Sequence, residues 1–217
     1  MSLLQELFTN PWIALVSIIA ILFALSFHEA SHALMAYWLG DLTAKREGRL
    51  TLNPAAHVDL WGLIALIVVG IGWGKPVPFN PYNLKYPRLG PVLVAGAGPV
   101  SNILLGTVAA LIFRFVGPSL DPTNMLGLTI GTLLVSLASI SFLLALFNLI
   151  PIPPLDGSKA LLAVLSAPQY RNARFILETQ GPLILIGLIV VDSFLNIGLF
   201  NALAVGAQAM FSFVLSL

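Results

Sequence analysis

Residues 11–39 have the sequence PWIALVSIIAILFALSFHEASHALMAYWL, in which Glu29 is the only formally charged residue. About 20 apolar residues are enough to cross the ~30 Å hydrocarbon core of a bilayer. Asn10 is a suitable N-cap, Pro11 fits the first helical turn, and Gly40 can terminate the helix. The stretch therefore predicts a membrane-spanning helix. Because no small-residue cleavage site follows a short apolar core, we expect the helix to be retained and not removed as a signal peptide.

The composition of the whole chain is that of a membrane protein. Of its 217 residues, 58% are hydrophobic and 9% are charged, against about 25% charged in an ordinary soluble domain. Ten Lys and Arg against nine Asp and Glu give a formal charge of +1, so there is no strong basic field to attract nucleic acid, and we expect no nucleic-acid partner. Cysteine is absent, so any metal site must use nitrogen and oxygen ligands.

Further apolar stretches predict an all-α, polytopic membrane protein that forms a single domain over residues 1–217, with about four to six transmembrane helices. The predicted elements after the first span are spans at 90–116, 125–150 and 181–200, a short helix at 157–165, and either an interfacial helix or a short span at 201–217.

Segment 59–72 (DLWGLIALIVVGIG) is an exception, because it is apolar but too short to cross, and basic residues flank both of its ends. A full crossing would leave one basic cluster on the wrong side of the membrane. We therefore expect residues 42–89 to form one membrane-reentrant unit on the cytoplasmic side, with short β-strands at 49–52 and 75–80. The flanking basic residues are Lys45, Arg46, Arg49, Lys75, Lys85 and Arg88.

The distribution of the other basic residues predicts the orientation of the chain. With the N-terminus outside, Lys159, Arg171 and Arg174 join residues 45–88 on the cytoplasmic side, and Arg114 is the exception. We expect a multi-pass protein of the cell membrane whose candidate site faces the cytoplasm.

The first span contains the sequence His28-Glu29-Ala30-Ser31-His32. A separation of four residues places His28 and His32 about 40° apart on one helix face, so both imidazoles can bind one metal ion. Zinc accepts such ligands, and a glutamate beside the first histidine can act as general base on a water molecule. The composition predicts roughly 0.0005 chance matches to this motif, and ionisable groups within a span are usually functional. The alternative is that these are structural polar residues with satisfied hydrogen bonds.

A catalytic zinc typically needs a third protein ligand, and the sequence offers His57, Asp156 and, less suitably, Asp192. Asp156 ends a proline-broken segment, Asn148–Asp156, and Gly157 permits a tight turn after it. The predicted topology brings this segment to the same side of the membrane as His28 and His32. Taken alone, Asp156 fits equally well as the N-cap of the helix at 157–165.

Together these segments resemble the site-2 protease family of intramembrane zinc metalloproteases. Three blocks follow in family order: residues 28–32, Gly98-Pro99-Val100-Ser101-Asn102, and the Asn-x-x-Pro-x-Pro-x-Leu-Asp-Gly element at 148–157. The resemblance implies that one Zn²⁺ per chain is bound by His28, His32 and Asp156 and that Glu29 activates water. It also implies that Asn148 and Pro151 hold the substrate, with Asn102 as a possible accessory residue.

The resemblance is to a minimal branch of that family, because no PDZ or CBS domain fits between the predicted spans or after Gly157. Residues 48–54 (GRLTLNP), with His57 and Asp59 after them, also resemble this branch. His57 could orient a ligand, bind metal transiently, or form a hydrogen bond within the reentrant unit. We expect Asp192 to be an interfacial residue remote from the zinc.

The expected activity is hydrolysis of peptide bonds in membrane-spanning substrates within or near the lipid bilayer. One alternative is a metal-binding or metal-transporting membrane protein without proteolytic activity. A second is an inactive binding module of the same fold. The intact set His28, Glu29, His32 and Asp156 argues against the inactive module.

Overall fold

The computed structural model of the chain describes residues 3–69 and 72–217. Residues 1, 2, 70 and 71 fall within the predicted single domain, and the last two also fall within the predicted reentrant unit, but all four lie outside the described residues. Within the described ranges the α-helices are α1 (Leu3–Thr9), α2 (Pro11–Trp38), α3 (Thr43–Arg46), α4 (Leu60–Val69), α5 (Gly90–Val116), α6 (Met125–Asn148), α7 (Gly157–Val164), α8 (Arg171–Leu195) and α9 (Leu199–Ser216).

Five helical stretches in this described part are long and apolar enough to cross a membrane: α2, α5, α6, α8 and α9, with short 3₁₀ turns extending α5 and α8. The all-α, multi-pass architecture predicted from the sequence is therefore confirmed. The stretch at 201–217, for which the sequence left two alternatives, belongs to α9, whose 18 residues are sufficient for a span.

The fourth predicted span starts earlier than expected. The prediction placed its beginning at Gly181-Pro182, whereas α8 begins at Arg171 and continues through Pro182. Proline removes one backbone hydrogen bond from a helix, and membrane helices tolerate this loss more readily than soluble ones. Gly181 lies against the proline-rich loop before α7, since a Cβ there would be 2.5 Å from Cβ of Pro153. The Gly-Pro pair thus marks a close contact and not a helix start.

The helices α5, α6 and α9 pack around a core of small residues and two aromatic rings. Gly106 allows α5 to approach α6, because a Cβ at that position would lie 2.9 Å from the Phe142 ring and 3.1 Å from the Ala138 carbonyl oxygen. Small residues at helix interfaces let backbones approach closely in a membrane. The buried members of this core are Ala109, Ala110, Ala138, Phe142, Ala207, Phe211 and Val214.

Helix α2 packs against both α5 and α6, and its buried positions are mostly small. They are Ala14, Val16, Ala20, Ala24, Ser26, His28, Ala30, His32, Ala33 and Ala36. The alanines allow close helix packing, and the two histidines are the largest buried side chains of the helix. The helix interface therefore holds the imidazoles in a rigid surrounding.

The predicted β-strands at 49–52 and 75–80 are not confirmed. In the described ranges no strand is present, and the extended chain forms only an isolated antiparallel bridge between Val58 and Gly74. The Arg49 side chain is directed inward and occupies the carbonyl oxygens of Lys75 and Pro76, so these carbonyls are unavailable to a neighbouring strand. Pro76 and Pro78 also lack the N–H groups that a ladder requires.

Helix α4 and residues 72–74 lie side by side, and together they are named the α4 hairpin. The ten residues of α4 are about 15 Å long, half of a hydrocarbon core. A Cβ on Gly62, near the start of α4, would overlap the carbonyl group of Trp73. The chain therefore returns alongside the helix that it has just left.

Asp192 is buried within the protein, and its predicted position at the membrane interface stays a prediction. Its carboxylate accepts hydrogen bonds from the backbone N–H groups of Leu199, at 2.8 Å, and Phe200, at 3.3 Å. These groups begin α9, where backbone donors have no partner within the helix. The side chain thus joins the end of α8 to the start of α9.

We expect Asp192→Ala to destabilise the fold by about 1–3 kcal/mol, because two N–H groups lose their acceptor. The melting temperature in detergent should fall by about 2–4 °C for each kcal/mol. Ser193→Ala is the matched control, since the exposed Ser193 hydroxyl donates only to Ile189 of its own helix. Equal melting temperatures for the two variants would contradict this role of Asp192.

Candidate active site

Three predicted ligands meet at one point between α2 and the loop before α7. His28 Nε2 lies 3.0 Å and His32 Nε2 lies 3.3 Å from the same oxygen, Oδ2 of Asp156. The two imidazole rings are perpendicular, with centroids 4.6 Å apart, as expected for side chains one turn apart on a helix. The structure therefore brings together residues that are far apart in the sequence.

These distances fit a zinc ion. Zn–N and Zn–O bonds of about 2.0–2.2 Å in a tetrahedral site place ligand atoms about 3.4 Å from one another. Although Asp156 Oδ2 is close to two ring nitrogens, it has no hydrogen-bond partner of acceptable geometry. Short distances without a hydrogen bond are expected when the lone pairs of the two ring nitrogens and the carboxylate oxygen point to one position. The ligand types and their distances therefore fit a divalent cation.

A backbone contact fixes the tautomer of His32. Its Nδ1 atom lies 2.7 Å from the carbonyl oxygen of Val94 in α5. A carbonyl can only accept a hydrogen bond, so Nδ1 carries the proton and Nε2 presents its lone pair to the metal position. Such outer contacts orient a histidine ligand and increase its basicity.

Asp156 does not act as a helix cap. It immediately precedes α7, but its side chain accepts no hydrogen bond from the first turn of that helix. Gly157 makes the required turn possible, since a Cβ there would overlap the Leu149 carbonyl. The carboxylate is thereby left free to face His28 and His32.

The environment of Asp156 keeps it ionised. Burial alone would raise the pKa of its carboxyl group, but the close contacts with His28 and His32, when those rings are protonated, outweigh burial and lower the pKa from 3.8 to about 2. At neutral pH the group is a carboxylate, which is the form that binds metal.

Glu29 lies next to His28 on α2 and is half-buried. Its Oε2 atom accepts a hydrogen bond of 3.1 Å from the backbone N–H of Val77. One carboxylate oxygen is thus fixed by the chain that follows the α4 hairpin. The sequence alone did not predict this contact.

Gly98 provides the space for the two imidazoles. A Cβ at this position in α5 would lie 2.5 Å from the His32 ring and 2.6 Å from Cε1 of His28. The signal for this position in the sequence is the resemblance described above, in which Gly98 is the first residue of the second block. The block therefore has a packing role that its residue types alone do not reveal.

Three further residues were predicted to act at this centre. Asn148 donates its side-chain N–H to the Leu144 carbonyl at 3.0 Å, and Pro151 is exposed in the following loop. Asn102 is fully buried, and neither its nitrogen nor its oxygen has a hydrogen-bond partner. The substrate-binding and accessory roles of these three residues stay predictions.

His57 is not part of the metal-binding group that the described residues form. It is fully buried, and its Nε2 lies 2.8 Å from the Thr51 carbonyl oxygen. Of the three alternatives for His57, the structure displays the hydrogen bond within the 42–89 region.

Comparison with known proteins agrees with this geometry. The model of peptidase family M50 matches residues 119–191, a range that includes Asp156. A protein of Bacillus subtilis (strain 168) with the name "Putative zinc metalloprotease YwhC" is 38% identical over 176 residues, which cover 80% of this chain and 79% of that protein. This chain belongs to peptidase family M50.

The resemblance to site-2 proteases is thereby confirmed, and membership of the family implies Zn²⁺ as the cofactor. A second relative, "Putative zinc metalloprotease Rip2" of Mycolicibacterium smegmatis, is 29% identical over 177 residues, covering 79% of this chain and 65% of that protein. No solved structure matches the chain. The His28, His32 and Asp156 group is the metal-binding candidate that the family assignment requires.

We expect Gly98→Ala to weaken zinc binding by about 10- to 100-fold, because the added methyl group displaces both imidazoles. The measurement is zinc affinity in competition with a chelator. Gly96→Ala is the matched control, since a Cβ at Gly96 in the same helix meets no atom within 4 Å. Parental zinc affinity in Gly98→Ala would show that the ring positions adapt freely.

Proposed function

We propose that this member of the M50 family is an intramembrane zinc protease that hydrolyses peptide bonds of membrane-spanning substrates within or near the bilayer. His28, His32 and Asp156 are the zinc ligands, and Glu29 is the general base. The observation that carries the proposal is the convergence of two imidazole nitrogens and one carboxylate oxygen beside a glutamate on a helix of membrane-spanning length.

The position of the ligands along α2 supports a reaction below the membrane surface. His28 lies ten residues before the end of the helix at Trp38, which is about 15 Å along the axis. A substrate bond that reaches this depth has to come from a chain within the membrane or at its edge. We therefore propose a membrane protein with a transmembrane helix as the substrate.

The division of chemical roles follows from the positions of the side chains. Bound zinc supplies Lewis-acid chemistry, which polarises the scissile carbonyl and activates a water molecule. Glu29 takes the proton of the attacking water and delivers it to the leaving amine. His32 is held in the ligating tautomer by Val94, and Asn148 and Pro151 are proposed to hold the substrate chain near the metal.

A cavity of about 530 Å³ supports an apolar substrate. It begins one helical turn from Glu29, at Leu25, and extends to Phe147, which precedes Asn148. Its lining comes from α2, α4, α6, α8 and α9 together with residues 58–59 and 72–74, and it is mainly apolar. Apolar side chains of an unwound substrate helix would be accommodated here, next to the proposed base.

The basic residues support an orientation with the site toward the cytoplasm of a cell-membrane protein. In this orientation residues 42–89 form a reentrant unit that enters and leaves on the cytoplasmic side. Arg49 is buried and so does not contribute to the surface charge, but the other basic residues of this unit support the same side.

The first test is cleavage of a single-span substrate in proteoliposomes by the parent and by Glu29→Gln. We expect the variant to retain one zinc per chain but to lose turnover by about 10²- to 10⁴-fold, because the amide cannot accept the proton. Glu47→Gln, at an exposed position, is the matched control. Parental turnover in Glu29→Gln would refute the assigned role.

The second test concerns the carboxylate ligand. We expect Asp156→Ala to lower zinc affinity by more than about 100-fold, beyond the effect of changing an outer contact. Asp121→Ala is the control, because Asp121 is exposed and its carboxylate contacts the nearby residues Thr123 and Asn124. Metal flux into proteoliposomes without substrate cleavage would favour the transporter instead.

A further inference from the structure

We propose that Arg49 is a positioning residue that sets the orientation of the Glu29 carboxylate through the backbone of residues 75–77. The inference rests on the proposed role of Glu29 as general base. It assigns a role to the GRLTLNP segment at 48–54, which the zinc site itself does not use.

The contacts form a continuous chain from Arg49 to Glu29. Arg49 Nη2 donates hydrogen bonds of 2.7 Å to the carbonyl oxygens of both Lys75 and Pro76. The next residue, Val77, donates its N–H to Glu29 Oε2 at 3.1 Å. Each link is within hydrogen-bond distance.

The planarity of the peptide bond makes these contacts dependent on one another. The Pro76 carbonyl and the Val77 N–H belong to one rigid trans peptide unit and point in opposite directions. The guanidinium holds one edge of this unit, and the Glu29 carboxylate accepts from the opposite edge. Rotation of the peptide plane away from Arg49 would therefore remove the donor from Glu29.

The sequence of the segment leaves no substitute donor nearby. Pro76 and Pro78 have no N–H, and the N–H of Lys75 is occupied by the His57 carbonyl at 2.8 Å. Between Lys75 and Phe79, Val77 supplies the single backbone N–H. The two prolines thus make the contact with Glu29 depend on one peptide unit.

The burial of Arg49 indicates more than a packing role. The residue is 4% exposed, and its Nε and Nη1 atoms have no hydrogen-bond partner. Within the part of the chain that the structure describes, no carboxylate forms an ion pair with it. A buried, partly unsatisfied guanidinium is unfavourable for stability, whereas the two N–H groups of Nη2 suit two adjacent carbonyl groups.

The remainder of the segment is anchored independently of Arg49. Buried Asp41, just after α2, accepts hydrogen bonds from the Asn80 backbone and the Asn83 side chain, and Lys85 N–H donates to the Leu39 carbonyl at 2.8 Å. These contacts attach residues 80–85 to the end of α2. Loss of Arg49 should therefore release the 75–77 peptide units without detaching the whole segment.

A double-mutant cycle tests whether Arg49 acts through the Val77 N–H. Arg49→Lys keeps the charge but removes Nη2, which extends one bond beyond the position that the lysine Nζ would reach. Val77→Pro removes the donor. We expect each variant to lower kcat by about 10- to 100-fold with KM and zinc content near the parental values. The combined variant should be no slower than Val77→Pro alone, whereas multiplied losses would overturn the proposal.

The exposed Arg46, three residues before Arg49, provides the matched control Arg46→Lys, which should have parental kcat. A fall in zinc content in Arg49→Lys would also overturn the proposal, because it would mean that the whole site is disturbed.

A spectroscopic test does not depend on activity. In zinc-loaded protein labelled with ¹⁵N-valine, the amide resonance of Val77 is identified by its loss in Val77→Leu. We expect Arg49→Lys and Glu29→Gln to shift this resonance in the same direction and Arg46→Lys to leave it unchanged. An unchanged resonance in Arg49→Lys overturns the positioning role. If the parent cleaves no substrate, the proposed function fails, but this measurement still decides what Arg49 does.

Discussion

The structure depends on three potential metal ligands, two imidazoles and one carboxylate, that are held close to one another. Two of them come from one turn of α2, and the third comes from a loop that follows α6. Bringing these three groups together is unfavourable without a cation. The packing of the surrounding helices therefore has to keep the two imidazoles and the carboxylate from moving apart. Alanines along α2 and Gly98 on α5 provide close packing, and the Pro153–Gly181 contact supports the loop that carries Asp156. The packing of the helices and of this loop thus keeps the three ligands close to one another.

The polar side chains of the centre obtain their partners mainly from the backbone. His32 is oriented by the Val94 carbonyl, and Glu29 accepts from the Val77 N–H. In an apolar helix bundle few polar side chains are available, whereas helix ends and irregular segments always offer carbonyl and N–H groups. This explains why an irregular segment at 72–85 lies beside a regular helix. In a continuous strand or helix, the backbone carbonyl and N–H groups would be used in the hydrogen bonds of that element.

The sequence was most informative where a local rule has few alternatives. The four-residue spacing of His28 and His32 and the long apolar runs determine ligand geometry and span positions almost by themselves. Asp156 was ambiguous because a cap and a ligand have the same local sequence, and only the tertiary contact separates them. The strand prediction at 49–52 failed for a similar reason, since the alternation of Arg49 and Leu50 resembles a strand although the guanidinium is directed inward to distant carbonyls. The prediction that a helix starts at Gly181-Pro182 was wrong, because it used the local preference of proline for the first helical turn. The tertiary contact between Gly181 and Pro153 cannot be recognised from the local sequence.

The surroundings of the cavity favour hydrolysis over ion transport. A transport route needs polar groups that can exchange their partners as an ion passes. Among the described residues, the carboxylates that line the cavity are Asp59 and Asp192. Asp59 accepts from the Gly62 N–H at the start of α4, and Asp192 accepts from the first N–H groups of α9. Each carboxylate thus stabilises a helix terminus, and an ion that engaged it would have to compete with that terminus. An apolar chain makes no such demand, so the cavity suits a peptide substrate better than a travelling ion.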